Sequence, residues 1–390
     1  MSVRDRVGSV FKSKDELDLT GGSIPRSLFF LSLPIIVTNM LQVGYNLADT
    51  FWLGRFSTDA LAAISLGFPL VYLFISLGLG LTVAGSVLVA QHTGADQPGE
   101  AEYAASQTVV FTVVAGLVVG GVGFVFIDEL LQVFSAEPEV LTLATEYMRI
   151  ITAGLPFLFG FMVFVALMRG AGDTVTPMVV MFGTVVLNVA LDPVLIFGWG
   201  PFPRMGVEGA GIATVFSRGS AMVVGVWIML RGTYGIRINP RDMWPDPAYI
   251  RRLLRIGAPA SLENTGRAIS VNAVLLIVTL FSTPVVAGFG VGIRVFSMIF
   301  MPAIAIDRGV ETMTGQNIGA GKLDRVSKTN RFAAKASFLL LASLGVLTFV
   351  FAPDIIRVFD NTPSVVSEGA YCSGSSGSRS RTSPLRGWCR

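Results

Sequence analysis

The sequence predicts an all-α polytopic membrane protein with two six-helix lobes related by a parallel repeat. Of its 390 residues, 52% are hydrophobic and only 14% are charged, whereas soluble domains carry about 25% charged residues. Nine long apolar segments follow a polar arm, and in lipid such segments must be helices because no water satisfies their backbone groups. Their approximate limits are 28–53, 60–90, 107–127, 147–168, 174–199, 209–230, 252–281, 284–306 and 332–352.

Lysine and arginine residues predict the orientation of these segments. If the amino terminus is cytoplasmic, the inside segments 1–27, 91–103, 168–177, 231–255 and 307–335 hold 18 basic residues, and the outside loops hold three. Basic residues concentrate in cytoplasmic loops. We therefore expect a multi-pass protein of the cell membrane with a cytoplasmic amino terminus.

The chain repeats itself at an offset of 225 residues. The clearest match pairs Gln91, Gly94 and Ala95 with a second Gln-x-x-Gly-Ala at 316–320, and we interpret both glycines as backbone-bending residues at helix ends. Six helices fit in one period, and an even number makes the two copies parallel. The predicted domains are an arm at 1–27, an N-lobe of six helices at 28–230, a linker at 231–251, a partial C-lobe of three helices at 252–370 and a tail at 371–390.

The first apolar segment carries a polar stripe. Helical spacing places Thr38, Gln42, Tyr45 and Asp49 on one face. A carboxylate within a membrane helix should face a protein interior or a water-filled cavity. The alternative is that Asp49 only marks the outer end of the helix.

The fifth segment carries the second intramembrane acid, Asp192, with Asn188 and Met181 on the same helical face. Pro193 follows directly and cannot donate a hydrogen bond to Val189, so a carbonyl oxygen is freed beside the carboxylate. Asp192 could instead hold a helix end structurally. Arg218 also lies in an apolar run, either as a partner for buried acids or with its charge reaching an interface.

Four stretches carry a resemblance to a known family. YNLADTFWLG at 45–54, LNVALDPVLIFG at 187–198, VAQHTGA at 89–95 and TGQNIGA at 314–320 resemble the multidrug and toxic compound extrusion (MATE) family, most closely its prokaryotic NorM/DinF-like branch. The resemblance covers about residues 25 to 370. It implies twelve helices in two lobes around a central cavity, and export of organic cations or drugs in exchange for H+ or Na+.

The resemblance also implies a cation- or proton-coupling site, formed by Asp49, Asp192, Tyr45, Asn188 and Thr214. A second set of residues is expected to line the cavity or contact substrate: Gln42, Thr38, Met181, Glu263 and Arg267. Glu263 and Arg267 are four residues apart, so they could instead neutralise each other as a helical ion pair.

Two other functions compete with the antiporter. A flippase for lipid-linked oligosaccharides shares the wider superfamily's architecture, but should line its cavity with several basic residues. An intramembrane enzyme would need a nucleophile–base set or metal ligands; the chain has one histidine, and both cysteines lie in the tail. We expect no enzyme activity, no metal and no cofactor besides the coupling ion. The expected partners are a small cationic substrate and the lipid bilayer, without nucleic acid, and the expected state is a monomer.

The final 20 residues break the repeat. The match continues to about residue 370, and the chain then reads YCSGSSGSRSRTSPLRGWCR, which cannot span a bilayer. An altered reading frame near residue 371 explains the change better than a natural tail does. We therefore expect a second lobe with three helices and a chain that does not transport as written. Export driven by this chain in vesicles would contradict that expectation.

Overall fold

A computed structural model describes residues 17–133, 137–278 and 283–359; the predicted tail lies outside them. This part of the chain forms ten α-helices and one short 3-10 helix. The helices are α1 (Ile24–Phe56), α2 (Thr58–Gly94), α3 (Pro98–Gln132), α4 (Pro138–Ala153), α5 (Leu155–Gly170), α6 (Val175–Phe197), α7 (Val207–Arg231), α8 (Pro247–Val278), α9 (Thr283–Gly319) and α10 (Leu323–Phe359), with the 3-10 helix at Pro240–Met243. The predicted all-helical fold is confirmed.

Six helices are long and apolar enough to cross a membrane, counting only the described residues. They are α1, α2, α3, α6, α7 and the part of α10 from Leu323 to Thr348. The predicted segment 147–168 is not one straight helix, because α4 and α5 meet at an angle of 52° around Gly154. Pro156 cannot donate a backbone hydrogen bond, which interrupts the helical ladder at this point. Counted as one bent span, α4 and α5 bring the total to seven.

The described residues form two compact units, one of 17–268 with 307–330 and one of 269–306 with 331–359. Within the first unit, α2 packs against α3, α5 and α4, and α6 packs against both α1 and α7. Its apolar side chains form two clusters. One surrounds Phe164 and Leu167, and the other surrounds Phe159 and Ile127.

The two repeated Gln-x-x-Gly segments contact each other inside the first unit. Gly94 ends α2 and Gly319 ends α9, so their predicted place at helix ends is confirmed. The predicted reason for glycine is wrong, because neither residue has a positive φ. A Cβ on Gly94 would lie 2.5 Å from the Gln316 carbonyl carbon, and one on Gly319 would lie 2.7 Å from that of Gln91. Close approach of two backbones therefore requires both glycines.

A carboxylate shared by two arginines lies near this contact. Glu311 on α9 accepts a hydrogen bond from Arg308 at 3.0 Å and lies 3.9 Å from Arg169 at the end of α5. The hydroxyl of Thr312 donates to the backbone oxygen of Arg169 at 3.2 Å. These bonds join the end of α5 to α9.

The connection between α7 and α8 is held against α3. Gln107 donates to the backbone oxygens of Asp242 and Trp244 at 2.6 and 2.8 Å, and accepts from the Asp246 amide at 3.1 Å. The Asp246 carboxylate accepts from the Tyr103 hydroxyl at 2.9 Å. The backbone N–H of Ala248, followed by that hydroxyl, holds the pKa of Asp246 below its ordinary value.

Candidate functional site

Two acids from different helices meet inside the first unit. Asp49 lies on α1 and Asp192 on α6, two helices that pack along each other. Both side chains are buried, at 7% and 0% exposure. The carboxyl group of Asp49 lies beside the side chains of Asp192, Asn188 and Thr214. Asp49 therefore does not merely mark the end of its helix.

The other predicted coupling residues complete the same cluster. Tyr45 lies one turn before Asp49 on α1, is buried, and has Thr214 of α7 beside its hydroxyl. Asn188 lies one turn before Asp192 and donates to its Oδ1 at 3.2 Å. The structure thus brings together the five residues predicted as the coupling site.

The cluster has buried oxygen atoms that have no hydrogen-bond partner among the residues that the structure describes. They are Tyr45 Oη, Asp49 Oδ1, Asn188 Oδ1, Asp192 Oδ2 and Thr214 Oγ1. Buried polar atoms are normally paired, so each such atom requires an explanation. Carboxylate, amide and hydroxyl oxygens are also the ligands that hard cations prefer. Two neighbouring buried carboxylates repel each other when both are ionised, so a proton or a monovalent cation would stabilise the cluster.

A buried arginine lies near Asp49. Arg218 of α7 is 8% exposed, so its charge does not reach an interface. Its guanidinium donates to Gln42 Oε1 at 2.6 Å and to Met181 Sδ at 3.3 Å. It also lies over the rings of Tyr45 and Phe161, 4.5 and 5.3 Å from their centroids. The sequence marks Arg218 as a charge in an apolar run but does not reveal this environment, because Phe161 comes from a separate helix.

The remaining cavity candidates do not join the acid cluster. The Thr38 hydroxyl donates to the Pro34 oxygen of its own helix at 2.8 Å. Glu263 and Arg267 pair with each other at 3.4 Å, and both side chains are exposed. The alternative interpretation of these two as a helical ion pair is confirmed geometrically. Gln42 and Met181 lie together, with the Arg218 guanidinium between them.

Comparison with known proteins gives a consistent picture. The MatE family model matches residues 34–194 and 259–373. The probable multidrug resistance protein YoeA of Bacillus subtilis is 30% identical over 86% of this chain and 74% of its own length. The probable multidrug resistance protein NorM of Thermotoga maritima is 30% identical over 88% of this chain and 74% of its length. A FAD transporter of Shewanella oneidensis is 29% identical over 90% of this chain and 78% of its length.

Solved structures share the fold. A multidrug resistance MATE family transporter of the MOP superfamily, in an outward-facing conformation, superposes with a TM-score of 0.83 at 25% identity. That match covers 93% of this chain and 80% of the other. A MOP superfamily transporter from Pyrococcus furiosus, described by the reverse polarity of its binding pocket, gives the same score, identity and coverage.

Proposed function

The chain belongs to the MATE family of multidrug efflux transporters, and from this premise we propose that it is a secondary antiporter exporting small organic cations in exchange for H+ or Na+. The observation that carries the proposal is the pair of buried acids, Asp49 and Asp192, with unpartnered oxygens around them. We assign coupling to this cluster. The protein is a multi-pass membrane protein whose family exports small organic compounds. We further propose a cell-membrane location, a cytoplasmic amino terminus and a monomeric state.

The physical basis of coupling is a difference in charge. With both acids ionised, the cluster has two negative charges in a buried place, and positive charge is attracted to it. A proton or sodium ion bound there neutralises one of the two negative charges and so weakens that attraction for a cationic cargo. Because α1 carries Asp49 and packs on α6, a change in repulsion between the acids also alters the packing of these helices. Cargo and ion then compete, and by linkage each weakens the binding of the other.

A second candidate cargo class is favoured by one observation. The relative from Shewanella oneidensis is a FAD transporter, and FAD carries a negatively charged diphosphate. Arg218 supplies a buried positive charge in the same lobe region as the acids. Against the flippase alternative, the described cluster places one arginine beside two acids, whereas a diphosphate-lined path calls for several basic residues.

Equilibrium binding tests the proposal without any need for transport. Purified chain in detergent is dialysed against labelled tetraphenylphosphonium, at neutral and acid pH and with and without sodium. We expect acid or sodium to weaken binding, and Asp49→Asn combined with Asp192→Asn to abolish that antagonism. The matched control is Asp96→Asn. Asp96 is an exposed loop residue with a left-handed backbone conformation, and asparagine also tolerates that conformation. If the doubly neutral variant shows undiminished antagonism, the acids do not couple.

A further inference from the structure

We propose that Arg218 is a built-in competitor for organic cations: its guanidinium occupies a cage that has the chemistry to bind the positive group of a cargo. The cage consists of Gln42, Tyr45, Phe161 and Met181. The inference rests on the proposed function, since it concerns the cationic cargo of the same lobe.

The groups around the guanidinium are those that recognise organic cations. Two aromatic faces, from Tyr45 and Phe161, lie within 5.3 Å of it. Cations bind such faces through the ring quadrupole, more strongly when they are desolvated. A polarisable thioether from Met181 and an amide oxygen from Gln42 complete the cage. All four groups are neutral, so nothing in the cage is specific for arginine over another cation of similar size.

Arg218 is not fixed by an ion pair. The pairs within 4.0 Å in the described part of the chain involve other residues, although Asp49 is near enough to interact with the guanidinium electrostatically. A buried charge without a close counter-charge is costly. That cost favours replacement of the guanidinium by a cation that loses less hydration free energy when it enters the cage.

The cage also has an accessible edge. The Gln42 amide donates to Asn46 Oδ1 at 3.1 Å, and Asn46 is exposed. Arg218 is a long side chain on α7, so it can leave the cage by rotation about its own bonds while its backbone stays in the helix. Occupation of the cage by cargo and occupation by the guanidinium are therefore mutually exclusive states of one site.

The test compares two lipophilic ions of nearly equal shape and opposite charge, tetraphenylphosphonium and tetraphenylborate. Their affinities for the full chain are measured by equilibrium dialysis, with protein-free micelles subtracted. We expect Arg218→Met to raise the tetraphenylphosphonium affinity by about tenfold, the range of a desolvated cation–π contact. Arg231→Met is the control, since Arg231 lies 4.3 Å from the Trp227 ring but is exposed. It should leave both affinities unchanged.

A double variant locates the gain. Adding Phe161→Leu to Arg218→Met keeps an apolar side chain but removes one aromatic face, and should cancel most of the increase. Monodisperse elution and an unchanged melting temperature show folding, and Arg218→Gln replaces the methionine variant if it does not fold. Any one of three results would overturn the proposal. They are an unchanged or lower tetraphenylphosphonium affinity in Arg218→Met, a gain in affinity that persists when Phe161→Leu is added, and a matching loss of tetraphenylborate binding. These affinities are measured at constant pH and sodium concentration. The result for Arg218 is therefore independent of whether the acids couple transport to an ion.

Discussion

The contact between the two repeated helix ends predicts a specific penalty for adding a single methyl group. In Gly319→Ala, the new Cβ would overlap the Gln91 backbone oxygen and lie 2.7 Å from its carbonyl carbon and 3.0 Å from the Ala95 nitrogen. In Gly94→Ala, it would overlap the Gln316 oxygen and lie 2.5 Å from the adjoining carbons. Carbon atoms in contact are separated by about 3.5–4.0 Å. The helix ends must therefore part by about 1 Å.

The expected cost follows from two opposing terms. Overpacking of a close contact costs about 1–3 kcal/mol, and backbone neighbours that cannot rotate away place these sites at the upper end. Alanine is favoured over glycine within a helix by about 0.5–1 kcal/mol. The free energy of unfolding of each variant should therefore fall by about 2 kcal/mol. Because one separation of the helix ends relieves both overlaps, the double variant should lose about as much as either single variant, and not the sum.

The assay is the apparent melting temperature in detergent, followed by circular dichroism at one heating rate, since membrane proteins unfold irreversibly. Both single variants should melt several degrees lower than the parent. Gly44→Ala on α1 is the matched control, because a Cβ there meets nothing within 4 Å, and it should melt at or above the parent. If Gly94→Ala and Gly319→Ala behave like this control, the helix ends do not approach as described. Full additivity in the double variant would refute the shared contact.

Four further predictions concern the loops and the helix ends. Gln107→Leu leaves three backbone groups of the α7–α8 connection unpaired, which should cost about 1–3 kcal/mol of local stability. Hydrogen exchange in that connection should therefore accelerate at least tenfold. The lowered pKa of Asp246 stabilises that connection at pH values above the ordinary pKa of 3.8. Hydrogen exchange, corrected for its intrinsic pH dependence, should therefore accelerate as the pH falls through the lower pKa of the folded state. Glu311→Gln leaves its two arginine partners facing each other and should cost about 3 kcal/mol, whereas the exposed Glu263→Gln should cost below about 1 kcal/mol by the same melting assay. A cysteine at Ser327 should resist impermeant thiol reagents in intact cells, because that segment is predicted to be cytoplasmic, and ready labelling would reverse the topology.

The acid cluster was predictable from sequence because its signal is local. Asp49 and Tyr45 share a face through helical spacing, as do Asp192 and Asn188. An acid in an apolar helix must also find an interior environment, which limits where the two helices can pack. Thr214 had only a short motif to support it, and its place beside Asp49 depends on how α7 packs against α6, which spacing does not determine.

Contacts between distant segments were not predictable in the same way. Hydropathy identified the apolar segment 147–168 but not the bend of 52° within it, since the average over a segment is insensitive to one missing hydrogen bond. The cage around Arg218 needs Phe161 from α5 and Gln42 from α1 at the same depth. A stripe on one helix shows which residues face inward, but the partner they meet is set by tertiary packing.

The repeat itself separates what builds the fold from what distinguishes the lobes. At the offset of 225, the glycines that permit close helix contact recur as Gly94 and Gly319. The polar stripe does not recur in kind: the positions of Thr38, Gln42, Tyr45 and Asp49 are taken in the second copy by Glu263, Arg267, Ser270 and Val274. In the second copy the acid, Glu263, stands about three helical turns before the position that corresponds to Asp49, and it pairs with Arg267 at 3.4 Å. Val274 takes the place of the buried Asp49 in the second copy. Coupling that depends on a charge at this position of the stripe can therefore operate in the first copy only.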